Sequence, residues 1–224
     1  MIEEIQFEGI KSKYFNSKKS TRVLVFLPGT SSGVFSGKYN TLMQRLVSEN
    51  QSFIFPEIWS SLEELEEDSI EEIRFHLNKV FIYLKLKGFE VVVLVGKSFG
   101  ATLSLLYEDK FIKSRILIAP VLSIGEEGKI ETLLNVKLKE IKDLKDFIFS
   151  DEILSKINVP TLVLHGSEDA IISVETSKTL VKKLSNAKLL VIDGADHSFK
   201  DIEVEKKLID EIVTFLTFSA IMVE

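Results

Sequence analysis

Cysteine is absent from the 224 residues, which excludes disulfides, a thiolate nucleophile and any thiolate-held metal centre. Histidine occurs only at His76, His165 and His197, too scattered to suggest a metal site, so no metal is expected. Long apolar runs are missing as well. The longest are strand-sized, far below the roughly 18 residues of a membrane span, and the opening Met1-Ile2-Glu3-Glu4 is acidic, unlike a signal peptide. A soluble, cytoplasmic protein is expected. There is no basic excess either: 28 Lys and Arg stand against 34 Asp and Glu, a formal net charge of −6. That argues against a nucleic-acid partner, which would select a basic surface.

What is present is enough apolar material, 45% of residues, for one large core, and a single domain over 1–224 is expected. Strand and helix patterns alternate. Residues 2–15, punctuated by Gly9, read as two short strands that form a leading hairpin or sheet edge. Residues 22–27 (RVLVFL), ended by Pro28-Gly29, read as a buried strand. Leu42, Met43, Leu46 and Val47 share one helix face over 38–49. After a short strand at 52–55, a helix is predicted over 69–87. Ser69 and Glu72 form its capping box and Gly88 its stop. Ser61 with Glu64 is a second capping candidate. Further strands are predicted at 90–95, 114–119, 161–165 and 188–192, with helices at 101–107, 174–184 and 202–218. Such alternation implies an α/β fold: a mainly parallel central sheet with helices on both faces.

One stretch, at about 122–157, breaks the rhythm. It is far longer than a simple crossover requires. Ile130, Leu133, Leu134, Leu138, Ile141, Leu144 and Ile148 keep a helical period across it. Two readings stand: an extended crossover with a surface helix, or a small lid insertion that carries apolar residues toward a substrate. Its position at the C-terminal edge of the sheet favours the lid.

The chemistry centres on Gly96-Lys97-Ser98-Phe99-Gly100. A G-x-S-x-G string is unspecific by itself, but here it joins an apolar strand to a helix, the setting of a nucleophile elbow. In so tight a turn the serine takes a strained backbone conformation, and side chains at the flanking glycines would collide. The following helix points its N-terminal amides at the serine, so the Phe99 N–H can stabilise an oxyanion.

On these residues, and on element order from the strand before Pro28 to the last helix, the chain resembles the α/β-hydrolase superfamily. The likeness is to its small serine esterases, thioesterases and dienelactone-hydrolase-like members. The resemblance implies the chain order nucleophile, acid, base. Ser98 takes the first place. The family's base lies in the loop after the last strand, where His197 stands in Asp193-Gly194-Ala195-Asp196-His197. His165, ending a strand, matches a position often filled by a structural histidine, and His76, flanking the apolar stripe of a helix, reads as a packed or rim histidine. The acid corresponds to Asp169 in Gly166-Ser167-Glu168-Asp169, with Glu168, Asp193 and Asp196 as competitors. A second oxyanion donor, the Thr30 N–H, is implied by the loop Pro28-Gly29-Thr30-Ser31-Ser32-Gly33. Pro28 stands where the family often has histidine.

The resemblance implies a carboxylesterase-like serine hydrolase that acts on a small-molecule ester or thioester without any cofactor, as a monomer or homodimer. The same residues leave open a peptidase or acyltransferase, a non-catalytic relative that binds a small ligand, or an interaction module using its amphipathic insertion or apolar tail.

Overall fold

In the computed structural model, residues 1–30, 33–59, 69–124, 130–132 and 148–221 are described. Strand β1 (Glu3–Phe7) pairs antiparallel with β2 (Ile10–Phe15) through a two-residue turn. Glu8 and Gly9 both have positive φ there, the backbone of a type I′ hairpin. Then follow β3 (Arg22–Leu27), α1 (Asn40–Ser48), β4 (Ser52–Pro56), α2 (Ile70–Leu86), β5 (Val91–Lys97) and α3 (Phe99–Leu106). The chain continues through β6 (Ile112–Ile118), β7 (Leu122–Ile124), β8 (Ile130–Thr132), β9 (Ile148–Phe149), α4 (Asp151–Ser155), β10 (Thr161–Gly166), α5 (Val174–Lys183), β11 (Ala187–Ile192) and α6 (Ile202–Ile221).

Eight strands form one sheet in the order β1-β2-β4-β3-β5-β6-β10-β11. Pairing is parallel from β4 through β11 and antiparallel at the β1–β2–β4 edge. The two-residue period of a strand sorts the apolar side chains into two cores. Val25, Leu94, Leu117 and Val163 face one core, shared with Leu77, Val80 and Phe81 of α2, Leu103 of α3 and Leu180 of α5. Phe26, Val95, Ile116 and Leu164 face the other, with Met43 and Leu46 of α1 and Ile212 and Leu216 of α6. Both faces are therefore covered, which is why the central strands read as unbroken apolar runs rather than alternating ones. Each fully buried side chain of this size contributes roughly 1.5–3 kcal/mol of transfer free energy.

Local signals act as read. Ser69 Oγ accepts the Glu72 amide at 3.2 Å while Glu72 Oε2 accepts the Ser69 amide at 2.7 Å, a complete capping box. Gly88 follows α2 with φ +83°, a conformation that costs a glycine little. The Ser61–Glu64 pair lies outside the described residues. Helix α3 starts at Phe99, two residues earlier than its apolar pattern suggests, because it leaves the elbow with no linker. All eight of its residues are buried. Two arginines hold its far end: Arg115, itself buried, donates to the Ser104 and Tyr107 carbonyls, and Arg74 donates to the Leu106 carbonyl. Cations there satisfy carbonyls that the helix leaves without partners.

The stretch 122–157 departs from its helical reading at both ends. Ile130 and Ile148 lie in β8 and β9, which with β7 make a three-stranded antiparallel sheet. The register Ile130↔Phe149 and Glu131↔Ile148 places them by backbone pairing rather than by a helical face. Apolar residues three or four apart do not distinguish a helix from short strands joined by turns. This small sheet lies against α5. Leu133, Leu134, Leu138, Ile141 and Leu144, and with them most of the expected lid, lie outside the described residues.

Candidate active site

The sheet brings together three loops at the C-terminal ends of its parallel strands. Ser98 follows β5, Asp169 follows β10 and His197 follows β11. A series of backbone bonds joins these strand ends sideways. The Ser98 amide donates to the Ile118 carbonyl at 2.8 Å and the Ala119 amide to Leu164 at 2.8 Å. The Ser167 amide reaches Ile192 and the Glu168 amide Ala195, each at 3.0 Å. Gly166 packs so closely on the Ala195 backbone that no side chain would fit.

Ser98 has φ 53° and ψ −119°, a strained conformation for a residue with a Cβ. The surrounding packing compels it. A Cβ on Gly96 would lie 2.5 Å from the Ala101 nitrogen, and one on Gly100 would lie 2.5 Å from the Pro28 carbonyl oxygen. Ser98 stands at the N-cap of α3, yet its side chain makes no capping bond. It points instead to His197, with Oγ and Nε2 3.0 Å apart.

His197 Nδ1 lies 2.7 Å from Asp169 Oδ2. Nδ1 therefore carries the proton and donates, which leaves Nε2 to accept from the serine hydroxyl. The Asp169 carboxylate is fully buried. Its other oxygen accepts the amides of Ile171 at 2.9 Å and Ile172 at 2.8 Å. His165 lies beneath it, Nε2 within 3.3 Å of Oδ2 and 3.0 Å of the Ile172 carbonyl oxygen, with Nδ1 2.7 Å from Ser177 Oγ. Burial alone would raise the Asp169 pKa, but hydrogen bonds from His165, His197 and the Ile172 amide outweigh it and hold the carboxylate far below its usual range.

The competing carboxylates do other things. Asp196 accepts the Ser198 amide at 3.0 Å and the Phe199 amide at 2.8 Å, closing the turn that presents His197. Asp193 accepts from Ser167 Oγ at 3.4 Å. Glu168 is exposed, and His76 stays on α2, half-buried and outside this chain of bonds. Among the described residues no group of three or more His, Asp or Glu side chains could hold a metal ion, and no helix is long and apolar enough to cross a membrane.

Phe99 is the first residue of α3, so its amide has no acceptor within the helix. The loop after β3 runs alongside: a Cβ built on Gly29 would lie 3.3 Å from Ser98 Cβ and 3.8 Å from Oγ. This brings the Gly29–Thr30 peptide beside the serine.

Two residues of this neighbourhood escape a reading of the sequence. Trp59, the only tryptophan, is buried and donates Nε1–H to the Gly29 carbonyl at 3.4 Å; its ring meets Phe99 edge-on at 5.8 Å. Lys97, only 7% exposed, donates to the Ser198 carbonyl at 2.8 Å and so links the neighbours of Ser98 and His197. Burial, reinforced by the nearby charge of Lys38, lowers its pKa to about 8. A lone tryptophan or lysine carries no motif, and neither contact is local in sequence.

Residues 56–217 match the model of the uncharacterised protein family UPF0227. The chain belongs to that family. This UPF0227 member also has the α/β-hydrolase fold. Its structure is similar to Est1E from Butyrivibrio proteoclasticus, with a TM-score of 0.76 and 15% identity over 98% of each chain. It is also similar to the esterase EaEST from Exiguobacterium antarcticum (TM-score 0.74, 16% identity, 96% of this chain and 98% of that one). A third likeness is to a monoacylglycerol lipase from Paleococcus ferrophilus (TM-score 0.70, 19% identity, 94% and 99%). In sequence, 153 residues are 28% identical to the proline iminopeptidase PfmaB of Pestalotiopsis fici, covering 63% of this chain and 49% of that protein. The UPF0227 chain thus spans about half the length of this curated relative.

Proposed function

We propose that this protein is a serine hydrolase that cleaves a carboxylic ester or thioester of a small or acyl substrate through an acyl-enzyme. The observation that carries the reading is the unbroken chain Ser98 Oγ–His197 Nε2 at 3.0 Å and His197 Nδ1–Asp169 Oδ2 at 2.7 Å. Ser98 Oγ attacks the carbonyl carbon as its proton passes to His197 Nε2, and the buried Asp169 carboxylate stabilises the resulting imidazolium. The amides of Phe99 and Thr30 bind the oxyanion. Collapse expels the alcohol or thiol, protonated by His197. Water, activated by the same histidine, then releases the carboxylic acid. On this reading the chain is a single α/β-hydrolase domain, with the 122–157 stretch inserted in sequence between β6 and β10.

Trp59 is a positioning residue in this scheme. The carbonyl it binds and the Thr30 N–H belong to one planar, trans peptide unit and point in opposite directions. Fixing the carbonyl therefore aims the amide. Trp59→Phe keeps a ring against Phe99 but loses the hydrogen bond, a net loss of about 0.5–1.5 kcal/mol. A fall in kcat of about two- to tenfold with KM unchanged is expected on a short-chain ester, since an oxyanion donor acts mainly in the transition state. An equal change in KM with kcat constant would contradict this role.

The direct test is covalent. A fluorophosphonate probe should label the wild-type protein on Ser98 by peptide mass mapping, and a graded panel of p-nitrophenyl esters and acyl thioesters should be turned over. The iminopeptidase relative favours one alternative, a peptidase, so a prolyl p-nitroanilide belongs in the panel. Preference for that amide over every ester would replace the esterase reading. Failure of the probe to label Ser98 would remove the serine-hydrolase reading altogether.

A further inference from the structure

A cavity of about 340 Å³ opens beside the reacting residues without containing any of them. Its apolar walls come from Phe26 of β3, Leu42 of α1, and Leu208 and Ile212 of α6. Lys97 lines it from within, while Lys38 and Lys200 stand nearer solvent and Glu205 contributes the one carboxylate.

The arrangement of charge is unusual. Lys97 uses one of its three N–H donors on the Ser198 carbonyl and lies 5.5 Å from the centre of the Phe199 ring, but among the described residues neither Lys97 nor Lys38 makes an ion pair. An ammonium held out of water is costly unless an anion or further acceptors compensate it. The carboxylates of Asp196, Glu205 and Asp169 offset part of that cost at a distance, while Lys38 adds to it. Lys200 is engaged with Asp196 at 3.4 Å. Two N–H groups of a buried lysine, a second lysine with no counter-ion and an apolar chamber are together complementary to one kind of molecule.

We propose that this cavity binds a carboxylate carrying an apolar tail of medium length, with the headgroup between Lys97 and Lys38 and the tail against α1 and α6. The walls disfavour a small hydrated anion, which would lose its water shell against hydrocarbon. The lysines disfavour an uncharged amphiphile, which would supply no counter-charge to either. Binding requires no chemistry at Ser98, so the inference stands or falls separately from the esterase reading.

The test is calorimetric titration of octanoate into the wild-type protein and into Ser98→Ala, which removes turnover and leaves the cavity untouched. One molecule should bind each with the same Kd. Loss of a charge-assisted hydrogen bond should weaken binding about tenfold or more in Lys97→Met, and severalfold in Lys38→Met. Lys38 lies on the surface, so its variant reports even if the Lys97→Met protein folds poorly. Octan-1-ol and inorganic phosphate should each bind at least about tenfold more weakly than octanoate. The proposal is overturned if octanoate fails to bind, if both lysine variants bind it like the wild type, or if the alcohol or phosphate binds as tightly. It is equally overturned if fluorophosphonate labelling of Ser98 abolishes octanoate binding, since the ligand would then occupy the reacting centre.

Discussion

Ser98→Ala is expected to lower kcat on a short-chain p-nitrophenyl ester by about four to six orders of magnitude, with a thermal midpoint close to that of the wild type. The size follows from interdependence. Once Oγ is gone, His197 has no hydroxyl to deprotonate and Asp169 has no imidazolium to stabilise, so one deletion removes the work of all three. The residual rate should come from oxyanion binding alone. Stability should hardly change because alanine retains the Cβ that makes φ 53° costly, so the strain is the same in both proteins. His197 retains slight solvent access, 14% of its side chain, and water can replace the lost hydroxyl. A variant with wild-type turnover would remove Ser98 from the chemistry; a variant that unfolds would instead make the serine structural.

The second large effect belongs to Asp169→Asn. Both carboxylate oxygens are acceptors here: one takes the amides of Ile171 and Ile172, the other faces His197 Nδ1 and His165 Nε2. An asparagine has one oxygen and one NH2 group. Placed with its oxygen on the two amides, it turns N–H donors toward two imidazole N–H groups. Reversed, it turns them toward the amides. The relief available at His197 is the other tautomer, with the proton on Nε2, which cannot accept from Ser98. Turnover should fall by about 10⁴, and stability by about 1–3 kcal/mol from the buried donor left without an acceptor.

The stability loss should depend on pH in a definite direction. The Asp169 carboxylate has a depressed pKa in the folded protein. Its contribution is therefore complete above the unfolded value near about 3.9 and is lost as pH falls below it toward the folded value. Urea unfolding of wild type and Asp169→Asn should accordingly give a gap that narrows as the pH falls below about 4. A gap that widened in acid would mean that Asp169 is not held ionised by its partners.

Much of the molecule is legible in its one-dimensional pattern, wherever the deciding physics is local. The RVLVFL and EVVVLV runs report strands covered on both faces. Ser69 and Glu72 bond each other across one helical turn. The elbow Gly96-x-Ser98-x-Gly100 requires small residues because its clashes arise between groups a few residues apart and with the adjoining loop. The stretch around 122–157 is less legible. Its helical spacing conceals β8 and β9, whose identity depends on partners brought back by the chain rather than on period.

The sequence by itself determined the layered α/β architecture, the strained serine turn and the loop that carries His197, because burial period, capping and steric exclusion act over a few residues. Only the tertiary structure decided which of four carboxylates faces that histidine. Asp193 and Asp196 are nearer along the chain, yet it is Asp169 that accepts the Nδ1–H hydrogen bond, because parallel pairing of β10 and β11 sets their two loops side by side. The same distinction holds for Trp59 on the Gly29 carbonyl and for Lys97 beside its apolar cavity. Hydrogen bonds and desolvation depend on distance in space, and composition and spacing carry no record of it.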